Sequence, residues 1–92
     1  MRERAIALAM ETGELTVHIA TEGGANDRVL ILGHDPRGVR VREWHPGNWS
    51  IGPDESVVAA DVLLARLEGV QRARQRVIPD VRSVREWLAA PR

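Results

Sequence analysis

Hydrophobic and polar positions alternate along the first half of the chain, then change period. In AIALAMETGELTVHIA the large apolar residues fall at Ile6, Leu8 and Met10, and again at Leu15, Val17 and Ile19. Period two marks a strand with one buried face. Thr12 and Gly13 stand between the two sets as a two-residue turn. The predicted hairpin pairs Met10 with Leu15, Leu8 with Val17 and Ile6 with Ile19, so the large side chains share one face. The rival reading is an Ala-rich N-terminal helix; the match across the turn favours the hairpin.

The stretch TEGGANDR is a loop by composition. RVLILGHDPRGVRVREW predicts a second hairpin around Asp35-Pro36-Arg37-Gly38, where Asp accepts from the backbone, Pro presets φ and Gly tolerates positive φ. Read as a three-residue loop with a glycine bulge, this turn sets His34 opposite Arg40, Leu32 opposite Arg42 and Leu30 opposite Trp44. Val29, Ile31, Val39 and Val41 are then expected to face the core. VLIL is apolar on both sides, which predicts a central strand.

After Pro46-Gly47 the period becomes helical. Asp54 is read as an N-cap, with Glu55 in the first turn. Ala60, Leu63, Leu64, Leu67, Val70 and Val77 form one stripe at 100° per residue. A second stripe of small residues, Val58, Val62, Ala65, Gly69 and Ala73, predicts a ridge for close approach of another helix or a second copy. Pro79 ends this pattern. Asp80 then caps a short helix with Val81, Val84, Trp87 and Leu88 on one face, and Pro91 lies beyond it. The expected architecture is a single α+β domain, 1–92, in two layers. A four-stranded antiparallel meander of two hairpins is followed by one long and one short C-terminal helix.

Composition changes this picture in three ways. No cysteine is present, which excludes disulfides and thiolate metal sites. No apolar run reaches the ~20 residues of a membrane span, and the N-terminal pattern is a poor secretory signal, so the expected compartment is the cytoplasm. All 13 basic residues are arginine, which fits a GC-rich bacterial genome and makes every cation a planar fork for carboxylate or phosphate. Net charge is zero but unevenly spread. Residues 1–65 hold six Arg and ten acids; residues 66–92 hold seven Arg and three acids.

Two surfaces emerge as candidates. His34, Arg37, Arg40, Arg42 and Trp44 are expected on the open sheet face, together with Leu30 and Leu32. Forked cations beside an indole are ingredients for gripping a single-stranded nucleic acid, although stacking platforms usually offer more than one ring. The basic helical segment supplies Arg72, Arg76, Arg82 and Arg85, suited to phosphate or an acidic partner. The three histidines lack metal-ligand spacing, and no nucleophile elbow, phosphate loop or carboxylate pair is found, so neither a metal, a cofactor nor an enzyme is expected. Trp49 and Ile51 are assigned to the core, and Trp44 is the ring expected to be most exposed. The leading expectation is a non-enzymatic interaction module, a homodimer that binds itself or another protein. The alternative is a nucleic-acid-binding regulator.

Overall fold

A computed structural model describes residues 13–90. The described chain runs β1 (Glu14–Ala20), β2 (Arg28–Asp35), β3 (Gly38–Trp44), β4 (Asp54–Val58), α1 (Ala60–Arg72), β5 (Arg76–Ile78) and α2 (Val81–Ala89). The strands form one antiparallel sheet in the order β4-β3-β2-β1-β5. The α+β architecture is the expected one, a meander with two helices after it. A fifth strand joins the meander at the outer edge of β1.

Leu15, Val17 and Ile19 alternate as predicted and are buried. They meet Leu30, Leu32, Val39 and Val41 on the same sheet face, Val77 from β5, Leu63 and Leu67 from α1, and Val81 and Val84 from α2. Every core side chain is aliphatic, and the half-buried Trp87 and Leu88 of α2 close the cluster. Asp80 caps α2 as predicted, accepting from Ser83 N at 2.8 Å. No helix among the described residues is long and apolar enough to cross a membrane.

Several expectations are corrected. The partner strand proposed for residues 6–10 lies outside the described residues. Ile19 itself pairs with Arg28 on one side and with Val77 on the other. In the second hairpin Asp35 pairs with Gly38, leaving Pro36-Arg37 as a two-residue loop. That shortens the loop by one residue and flips one whole strand. Leu30 and Leu32 are therefore in the core, with His34 on their side, while Val29 and Ile31 face outward.

The single long helix is replaced by strand, helix and strand. Asp54 begins β4 and caps nothing; Val58 belongs to β4, and Arg76 and Val77 to β5. Glu55, Ser56, Val57 and Val58 pair along β3, because an edge position there is open and Val-Val suits it. Helix α1 ends at Arg72, and Arg74 adopts φ 63°, which redirects the chain into β5.

Candidate functional site

The sheet face opposite the helices is built in cross-strand rows. Glu14, Gly33, Arg40 and Val57 form one row; Thr16, Ile31, Arg42 and Glu55 the next; Ile78, His18, Val29 and Trp44 the third. Arg40, Arg42 and Trp44 thus share this outward face as expected, with Trp44 half-buried rather than fully exposed. His34 does not. It lies on the helix side, its ring stacked on Trp87 with centroids 4.2 Å apart and planes at 20°.

The outward arginines are already engaged. Arg42 Nη2 donates to Glu14 Oε2 at 2.6 Å, and Arg40 Nη2 lies 3.8 Å from the same oxygen. Gly33 makes the second approach geometrically feasible. A Cβ there would sit 2.6 Å from Arg40 Nη2, so only a residue without a side chain lets the guanidinium lie flat across β2. At the hairpin tip Arg37 donates to Asp35 through its backbone N at 2.9 Å and its Nε at 3.1 Å. These bonds hold the Asp35 carboxyl below its usual range. The predicted charge for phosphate is therefore shared with carboxylates at all three positions.

The remaining cations divide sharply. Arg28 and Arg66 both reach Glu43, at 2.6 and 2.8 Å, and tie β2 and α1 to β3. Burial works to raise the Glu43 pKa, but the two guanidinium partners prevail and it is lowered. Arg85 of α2 bonds Glu68 of α1 at 2.7 Å, and Arg82 pairs with Glu86 at 3.4 Å within α2. Among the described residues only Arg72, Arg74 and Arg76 have no carboxylate partner. The expected basic helix is thus two things. Arg82 and Arg85 stand on α2 in internal ion pairs; Arg72 and Arg76 flank the α1–β5 turn, unpaired.

The small-residue ridge is reduced to Val62, Ala65 and Gly69, and it faces away from the sheet. Val62 is 57 % exposed. A Cβ on Gly69 would meet only Arg72 Nη2, at 3.8 Å, so no helix approaches there. Val58 is in β4, and Ala73 follows the end of α1.

The most distinctive feature is the loop between β3 and β4. Trp49 and Ile51, expected in the core, are 60 % and 83 % exposed. The buried residue is Asn48. Its Nδ2 donates to Glu43 O at 3.0 Å and its Oδ1 accepts from His45 N at 2.9 Å. Its carbonyl accepts from Ile51 N and Gly52 N, at 3.1 and 3.0 Å. His45 adds to the frame: Nδ1 accepts from Gly47 N at 3.1 Å, and Nε2 stands 3.2 Å from Asp54 Oδ2. A polar residue has taken the inside, and the two large apolar side chains the outside. The signal in the sequence was Asn after Pro-Gly, since Asn satisfies backbone groups of a turn locally.

The three histidines lie apart. His45 is in this loop, His34 is on Trp87, and His18 Nε2 is 3.3 Å from Asp27 Oδ2. Asp27 in turn accepts from Thr21 N at 2.8 Å and Thr21 Oγ1 at 3.1 Å, contacts that lower its pKa and fasten the β1–β2 loop. No family model, curated protein or solved structure matches this chain.

Proposed function

We propose that this chain is a small non-enzymatic interaction module that binds another protein, with Trp49 and Ile51 as its anchor. The supporting observation is the loop they occupy. Buried Asn48 bonds five main-chain groups, and the turn it holds leaves both apolar side chains in solvent. A loop held by its own hydrogen bonds has less conformational freedom to lose on docking. Tryptophan is the residue type most enriched where binding energy concentrates. Residues 45–65 carry three acids and no arginine, so the complementary partner offers an apolar pocket rimmed by cations. Of the apolar surplus behind the homodimer expectation, Leu30 and Leu32 are in the core, and the exposed large apolar side chains among the described residues are Trp49, Ile51 and Val62.

The experiment places a photo-crosslinking residue at position 49 in the intact chain and identifies what it captures in the cell. Affinity for the purified partner is then measured with Trp49→Ala. The expected loss is about 30-fold or more, with the melting temperature unchanged. Unchanged affinity would remove the anchor role.

The nucleic-acid reading shifts its footing. Arg37, Arg40, Arg42 and Trp44 no longer favour it, since each cation has a carboxylate close by. The unpaired Arg72, Arg74 and Arg76 are what favour it. A gel shift with single-stranded oligonucleotides would weaken steeply with salt if these residues hold phosphates. No shift at low salt would end the reading.

A further inference from the structure

Among the described charges outside ion pairs, Glu22 stands in the β1–β2 loop, Asp61 in the first turn of α1 and Asp80 at the cap of α2; the others lie along the two edges of the sheet. Edge strand β4 exposes Asp54 and Glu55; Asp54 has only a histidine beside it and Glu55 no partner among the described residues. The opposite edge, β5, exposes Arg76, with Arg72 and Arg74 beside it on the preceding turn. We propose that the chain associates with a second copy of itself head to tail, the acidic β4 edge of one copy docking on the basic β5 edge of the next.

The layers match as well as the signs. Glu55 and Arg76 both lie on the outward sheet face, in register with Arg42 and Ala20. In a sheet continued across the junction they share one face, where opposite charges attract. Asp54 lies on the helix side, in register with Glu43, the layer where α1 ends at Arg72. Each edge is paired on one side only among the described strands, so backbone groups are open for augmentation. Charge on an edge strand normally deters pairing. Here β4 repels β4 and β5 repels β5, while the mixed junction is attractive.

The geometry also selects the symmetry. Three strands separate the two edges, a span of roughly 19 Å at sheet spacing, so the patches are different surfaces on opposite sides of the molecule. Contact between different surfaces is heterologous, and it grows with concentration instead of closing as a two-fold pair. Surface ion pairs are individually weak, so the association is weak and salt-sensitive. It does not use the Trp49 side chain, and of its charges only Asp54 touches the loop that carries Trp49, through His45.

Sedimentation of the full chain at about 50 mM and about 500 mM NaCl tests this, with melting curves on every variant. Wild type is expected to gain mass with concentration at low salt, and the association constant to fall about tenfold or more at high salt. The neutralised variants Asp54→Asn/Glu55→Gln and Arg74→Gln/Arg76→Gln should each weaken it while staying folded. The reversed variants Asp54→Lys/Glu55→Lys and Arg74→Glu/Arg76→Glu should each be monomeric alone and associate when mixed. A wild type that stays monomeric at low salt overturns the proposal, with or without oligonucleotide binding. So does a closed dimer indifferent to these changes, or a reversed pair that ignores each other. Association lost in Trp49→Ala but kept in the charge variants would assign self-contact to the anchor loop and overturn the edge proposal alone.

Discussion

Glu43 shows how one side chain can join both layers. Its side chain is 13 % exposed, and the carboxylate takes a guanidinium from β2 and another from α1. Glu43→Gln keeps the shape and loses the charge. It is expected to cost about 1–2 kcal/mol, discounted because both arginines are partly in water. The pH dependence has a definite sign. The Glu43 pKa is lowered on folding, as are those of Asp27, Asp35 and Asp80. The native state therefore binds these protons less tightly than the unfolded chain. Their contribution is complete above the ordinary carboxylate range and is lost as pH falls through and below it. Urea midpoints measured from neutral to acid pH should drop, and Glu43→Gln should drop less. An equal slope in the variant would show that Glu43 takes no part. Parity along a strand cannot reveal such a residue; Glu43 looked like one more polar position before the end of β3.

At the scale of elements, legibility followed the clarity of the pattern. Strand β1 and helix α2 were readable because one face alone is apolar and, in α2, Asp80 marks the start. Its side-chain bond to Ser83 N predicts that Asp80→Ala lowers the melting temperature by about 5 °C, read by circular dichroism. No change would mean that α2 is held by Val81, Val84 and Trp87 alone. Strand β2 was ambiguous for a physical reason. VLIL offers an aliphatic side chain to either face, so one residue of loop length decided which pair went inside. Strand β4 resembled a helix start, since Pro-Asp-Glu carries the signals of one, and the helical period ran on by chance to Val77. The β3–β4 loop departs from expectation because a large apolar side chain carries no signal of burial when a neighbouring Asn satisfies the turn from inside. Of the candidate site residues, Arg40, Arg42 and Trp44 were correctly placed on one face. The exposure of Trp49 and Ile51 is not legible in the sequence.

For the whole molecule, the core is small, aliphatic and shared by all layers. Leu67 of α1 is among its fully buried members. Leu67→Ala is expected to cost about 2–5 kcal/mol, a large part of the 5–15 kcal/mol typical of folded domains. Chemical denaturation would show it as a lower midpoint with the slope retained. A loss below 1 kcal/mol would mean that the layers can collapse around the gap. Gly33 carries the last consequence. Because the Arg40 guanidinium occupies the volume a methyl group would need, Gly33→Ala is an electrostatic edit as much as a steric one. It would swing one cation away from Glu14 and into solvent, giving a sheet surface now almost self-neutralised a mobile positive charge. The least substantial residue on that face thereby governs what an approaching ion would feel there.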